Sequence, residues 1–337
     1  MSRARDLADL GGSADAGGLT GRNLIINGGM QISQRSTSVA DLGTANGFNT
    51  LDRWANFVGS SASAGRYTQT QESITDLAGF TKSLKNTVTT DDTTIATGEA
   101  LQLSQLIEGN VLQSLRKGHS DAEQFTVSFY VKGTAKTYVV EMYDNDNTRH
   151  VAKTFSVTSS WSRVELTFPA DTTGKLDGDA NLSMYLIIWL HAGSDFTSGT
   201  LPATWASVTT ANRAVGAGSL FSAIGNTFEI TGVQMEVGTK ATNFEHLSYD
   251  DDLAKCQRYY ESTGIVLNTY LYESGYYAVA KRAQPTLTYT PHAGSGGTVA
   301  RMSDGGSNVN GLAGFFQDTV NSISTNTTVK ANAEFSI

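Results

Sequence analysis

Phe125-Thr126-Val127-Ser128-Phe129-Tyr130-Val131-Lys132 decides the fold. Large apolar residues fill the odd positions and polar or amphipathic ones the even positions. A period of two is the mark of a β-strand with one face in a core. The pattern repeats on both sides. It runs through Thr137–Asp144 and Thr154–Thr158, then through Val164, Leu166 and Phe168, with Trp161 in the preceding turn. Leu182, Met184, Leu186, Ile188 and Leu190 mark the longest strand. Phe228, Ile230, Val233, Met235 and Val237 close the series, with the alternation slipping by one at Gly232, as at a bulge. Strands at this spacing, joined by polar turns, predict an all-β fold: a large antiparallel β-sandwich of jelly-roll type over residues 23–247.

The flanks read differently. In residues 1–22, Ala4, Leu7 and Leu10 line one side of about two helical turns before Gly11-Gly12 and Gly17-Gly18 interrupt them. Two expectations stand for this segment: a disordered tail, or a tether whose apolar stripe orders on another protein. Residues 248–263 predict a connecting helix. Ser248 and Asp251 fit a capping box, acidic residues crowd the first turn, and Tyr249, Leu253, Cys256 and Tyr260 share one face. That stripe has the spacing of a coiled-coil seam, predicting a homotrimer packed along the helix; packing onto the chain's own sandwich is the alternative. Residues 264–337 return to short strands, Val266–Tyr272, Tyr276–Lys281, Thr286–Thr290, Val299–Met302 and Thr328–Ile337, as a small C-terminal β-domain.

Composition bounds the function. The 337 residues include 34 Gly and only 4 Pro, with 39% hydrophobic residues, which suits many short strands. The net charge of −8 argues against a nucleic-acid partner, which calls for clustered Lys and Arg. The single cysteine, Cys256, leaves no intramolecular disulfide and no cysteine-based zinc site. The first residues lack the apolar core of a Sec signal peptide, and the longest apolar run, Met184–Leu190, is too short to span a bilayer. The expectation is a product made in the cytoplasm that stays soluble.

Motifs for catalysis, metals and cofactors are missing. Asp144-Asn145-Asp146-Asn147 opens like an EF-hand loop, but Arg149 and Phe155 stand where glycine and glutamate are required, so a hairpin turn is expected. The five histidines lack metal-ligand spacing, and Gly294–Gly297 lacks the lysine and helix of a phosphate loop. One surface is more suggestive. If the alternating aliphatics face the core, then Tyr185, Trp189 and His191 face outward, joined by Glu141 and Tyr143 and, from the strand at 125–131, Tyr130. Aromatic platforms between polar groups suit stacking on a sugar ring, which predicts a glycan site. Burial of that face under a loop or a neighbouring subunit is the competing expectation.

Several strings then fall into order. NLIINGGM (23–30), QR (34–35) and DRW (52–54) open the sandwich; GVQMEVG (232–238), ATNFEH (241–246) and CQRYY (256–260) close it, and KRAQP (281–285) follows. Together they resemble a group of phage fibre and other virion structural proteins, and the segment 101–168 is similar to carbohydrate-binding-module-like jelly rolls. Asn243 and Leu247 depart from the group's usual Pro and Arg. The resemblance implies a virion location and a trimeric fibre; assembly in the host cytoplasm and no enzymatic activity are expected with it. The apolar stripe of residues 1–22 adds the expectation of docking on another virion protein, and the aromatic sheet face that of adsorption to a host-surface glycan. A tailspike-type polysaccharide depolymerase and a secreted lectin are the alternatives. The first usually shows β-helix rungs that this chain lacks, and the second would carry a signal peptide.

Overall fold

The computed structural model describes residues 21–61, 63–267, 271–291, 299–304, 310–318 and 325–336. Ala4, Leu7 and Leu10 of the expected anchor lie outside the described residues. The chain divides into two units, one ending at Leu247 and one spanning Ser248–Ser336.

The first unit holds β1 (Ser38–Leu42), β2 (Ala55–Val58), β3 (Arg66–Ser73), β4 (Lys82–Thr90), β5 (Ala100–Glu108) and β6 (Phe125–Gly133). It continues with β7 (Lys136–Asp144), β8 (Arg149–Val157), β9 (Ser162–Phe168), β10 (Leu182–Ala192), β11 (Ala206–Ser207) and β12 (Thr227–Val237). They pair antiparallel in two six-stranded sheets, ordered β1-β3-β4-β12-β6-β9 and β11-β8-β7-β10-β5-β2. The core contains the alternating residues expected of it: Phe125, Val127, Phe129 and Val131 from β6, and Met184, Leu186, Ile188 and Leu190 from β10. Phe125 stacks on Phe168 across the β6–β9 pair at 5.3 Å. The expected slip in β12 is present: its register on β6 shifts between Thr231 and Gln234, and Gly232 has φ of +63°. A side chain there would drive into the Phe80 ring.

The opening and closing strings meet as a latch. Asn27, at φ +56°, folds its amide into the loop, donating to the Ile32 and Asp52 carbonyls at 2.8 and 2.9 Å and accepting from the Ile32 N–H at 3.0 Å. The buried Trp54 indole donates to the Asn27 carbonyl at 3.2 Å, and the buried Arg53 guanidinium donates to the Leu106 carbonyl. Asp52 accepts from the Gln34 N–H at 3.0 Å and pairs with Arg35 at 3.6 Å. From the closing side, the Met235 N–H donates to Asn23 Oδ1 at 3.1 Å, and the Asn23 N–H donates to Glu245 at 2.9 Å.

A second buried centre fastens the β7–β8 hairpin. The Lys117 ammonium donates to Asp144 and to the Gly174 carbonyl, lies 3.0 Å from Asp171, and sits 4.4 Å from the centre of the Trp205 ring. Asp144 also accepts from the Asn147 N–H at 3.0 Å, so Asp144-Asn145-Asp146-Asn147 is a capped hairpin turn. Arg149 completes the centre on Asp171 at 2.8 Å. Burial works against the Asp171 charge, but the Arg149, Thr173 and Lys117 hydrogen bonds hold its carboxyl well below the usual range.

In the second unit a helix, Tyr249–Gln257, starts at Ser248, whose hydroxyl accepts from the Asp251 N–H at 3.2 Å. β13 (Tyr260–Leu267), β14 (Leu271–Tyr276), β15 (Thr286–Pro291), β16 (Val299–Asp304), β17 (Gly311–Asp318) and β18 (Thr325–Asn332) follow. They form two three-stranded antiparallel sheets, β13-β18-β15 and β14-β17-β16. The expected helix to residue 263 is corrected: it stops at Gln257, because the chain from Tyr260 pairs with β18 in extended register. The expected strand over Tyr276–Lys281 is likewise corrected, since β14 ends at Tyr276 and Lys281 lies in the following loop. The trimer seam is corrected with the helix. Cys256 and Tyr260 are buried within the single chain, leaving Tyr249 of that stripe exposed and Leu253 half-buried. Lys281 is buried on Glu261 and the Gln257 carbonyl, and Arg282 lies over Phe335 at 4.1 Å.

Candidate functional site

The outer face of the β7–β10 sheet follows from register. Tyr185 stands opposite Tyr143, Ile187 opposite Glu141 and Trp189 opposite Val139. Since Leu186, Ile188 and Leu190 point to the core, the odd positions of β10 point away from it. The structure then splits this face into an open end and a covered end.

At the open end Tyr143 and Tyr185 are half-buried and meet edge to face, with ring centroids 5.7 Å apart and planes at 82°. Phe57 of β2 adds a third ring, 6.1 Å from Tyr185. These rings, with Gln102, Asn145, Ile187, Phe196 and Arg213, line a cleft of about 350 Å³. Burial, reinforced by neighbouring Tyr143 and opposed by Arg213, pushes the Tyr185 hydroxyl pKa up, so it is a hydrogen-bonding group and not a base.

The covered end overturns part of the expected platform. Trp189 is 0% exposed. It packs with Val139, Ala152, Ile187 and Ala214, and its indole lies 5.0 Å from the Phe196 ring. Phe196 and Ala214 belong to the segment between β10 and β12, which lies over this end of the sheet. Glu141 is also fully buried and supports the fold from beneath. It accepts from Trp189 Nε1 at 2.9 Å and from Arg213 Nε and Nη2, each at 3.0 Å, while His150 Nδ1 lies 2.8 Å away. Burial works against its charge, but the Arg213 guanidinium and these hydrogen bonds hold its carboxyl below the usual carboxylate range.

His191 is corrected in the same way. It is buried, with Nδ1 2.8 Å from Ser219 Oγ, Nε2 3.1 Å from Glu99, and its ring against Phe221. Burial pushes its imidazole pKa down despite Glu99. Tyr130 is on the other sheet. β6 and β7 are neighbours in sequence but not in a sheet, so Tyr130 projects from the β6 side, 5.2 Å from Phe80 and 5.9 Å from Arg163.

Of the six expected site residues, the cleft therefore unites Tyr143 and Tyr185. Phe57, Gln102, Asn145 and Arg213 escape sequence reasoning. Phe57 lies in a four-residue strand too short to show a period, and Arg213 lies in a polar stretch with none. The one available signal is that Phe57 lies three residues after the end of the DRW string.

No family model matches this sequence, and no curated protein matches it. Among solved structures it is similar to the enzymatically active domain of tailspike protein 4 of bacteriophage CBA120 (13% identity, TM-score 0.32, 64% of this chain and 21% of that one). It is also similar to a CBM4 structure (14% identity, TM-score 0.32, 63% of this chain and 98% of that one). A third is the family 11 carbohydrate-binding module of a Clostridium thermocellum cellulosomal cellulase (13% identity, TM-score 0.30, 60% and 100%). The strand pairings themselves establish the antiparallel sandwich here. No described helix is long and apolar enough to cross a membrane.

Proposed function

We propose that this chain is a bacteriophage virion protein, a fibre or decoration protein, whose sandwich binds a host-surface glycan through the cleft on the β7–β10 sheet. The cleft carries the reading. Phe57, Tyr143 and Tyr185 offer apolar faces for the C–H side of a sugar ring, and Gln102, Asn145 and Arg213 offer hydrogen-bonding groups for its hydroxyls. The virion location rests on the opening and closing strings, 23–54 and 232–260, and their resemblance to phage structural proteins. Binding without catalysis is part of the proposal. Glycoside hydrolysis calls for two carboxyl groups flanking the bond, whereas the cleft lining has neither Asp nor Glu.

One small, half-open cleft gives weak binding, so useful adhesion comes from repeating it. Linked copies raise avidity by about two to four orders of magnitude with no new contact, which a trimeric fibre repeated on a particle would supply. The direct test is titration of the purified protein with host-surface polysaccharide. Tyr185→Ala should weaken binding by about tenfold, equivalent to about 1.4 kcal/mol, with little change in melting temperature. Undiminished binding by a folded Tyr185→Ala protein would remove the cleft from the account.

A further inference from the structure

Arg213 is the one charged side chain in the lining of the cleft, and its charge is already matched. Nε and Nη2 grip the buried Glu141 carboxylate, and the guanidinium is wedged 5.0 Å from the centre of the Tyr143 ring and 5.1 Å from that of Trp189. It is therefore held rigidly, with its side chain 18% exposed, and its bonds to Glu141 run from Nε and Nη2, so that Nη1 takes no part in the pair. The other polar side chains of the lining, Ser60, Gln102, Tyr143, Asn145 and Tyr185, carry no formal charge in their ordinary states. Building on the glycan reading above, we infer that the Glu141–Arg213 pair makes this a cleft for neutral sugars, with Arg213 Nη1 as a fixed donor to a ring hydroxyl.

The argument is one of desolvation. A carboxylated sugar entering the cleft sheds water from its charge. It recovers that cost only from an unmatched cation, and the one cation present is engaged on two of its nitrogens by Glu141. A hydroxyl gives up far less, and a single well-placed N–H satisfies it. The rest of the molecule pushes the same way, since a net charge of −8 repels a polyanion before contact. Glu141 is thus a positioning residue: it touches no ligand, but it orients Arg213 and cancels its charge.

The experiment uses the intact protein and a panel of soluble neutral polysaccharides, each paired with a derivative oxidised at C6 from alcohol to carboxylate. Retention in affinity gels and calorimetric titration are the readouts. The expected result is binding to at least one neutral member, weakened about tenfold or more in its oxidised partner. Glu141→Gln uncovers the guanidinium and should shift the oxidised-to-neutral affinity ratio upward by about tenfold. Arg213→Lys keeps a positive charge near Glu141 but loses the planar fork, and should weaken neutral binding without that shift. Equal or tighter binding of the oxidised form by the unaltered protein would overturn the inference while supporting the glycan reading. That comparison stands even if Glu141→Gln does not fold. Absence of binding to every member would overturn the glycan reading and this inference with it.

Discussion

Trp189→Ala removes a fully buried indole and takes away the Nε1–H that Glu141 accepts. Large-to-small replacement of a buried aromatic costs about 3–5 kcal/mol, and the loss of one of the buried Glu141 hydrogen bonds adds to that. The variant should therefore unfold at clearly lower denaturant concentration, and any loss of glycan binding should follow from lost structure. A Trp189→Ala protein of ordinary stability that no longer binds glycan would restore the exposed platform expected from the alternation alone. Tyr143 and Tyr185 sit on the same two strands and differ only in what lies above them. Alternation specifies which way a side chain leaves the sheet, and a covering segment then decides whether it meets water. The residues behind the family resemblance are structural on this view. Asn27, Asp52 and Trp54 hold the entry of the chain, and Asn23 and Glu245 join it to the exit. None of these lines the cleft.

At the scale of elements, the legible strands were those with long, clean alternation. β6, β10 and β12 lie where their apolar period places them, and Gly232 marks the bulge because only a residue tolerant of positive φ fits beside Phe80. Period two says nothing about which sheet a strand joins. That ambiguity put Tyr130 on the wrong side: β6 pairs with β12 and β9, while β7 pairs with β10 and β8. The covering segment between β10 and β12 was illegible for a different reason. It is mostly irregular, with a four-residue helix and a two-residue strand, so its apolar residues follow no period. The long helix was overrun because Tyr260 continues the helical spacing from Cys256. The next residues are extended and pair along β18, and strand pairing overrides a stripe of one more turn. These two effects remove four of the six expected site residues: burial takes Glu141, Trp189 and His191, and sheet assignment takes Tyr130. Arg213 was missed because a side chain that gains its role from a tertiary ion pair leaves no local pattern.

On the scale of the whole molecule, the chain forms two units, one ending at Leu247 and one spanning Ser248–Ser336, and carries a net charge of −8. The trimer remains a proposal of this account. With Cys256 and Tyr260 buried, Tyr249, which is 58% exposed, and Leu253 are the part of the helix stripe left to meet neighbouring chains. Light scattering of the purified protein should give three times the mass of one chain, and a monodisperse monomer at micromolar concentration would contradict it. The central claim, a glycan seated on the outer face of the β7–β10 sheet, is tested most directly by the crystal structure with the tightest-binding oligosaccharide of the neutral panel. The account predicts a sugar ring against Tyr185 and Tyr143, with a hydroxyl accepting from Arg213 Nη1. A sugar bound elsewhere on the molecule, with the cleft filled only by solvent, would contradict it.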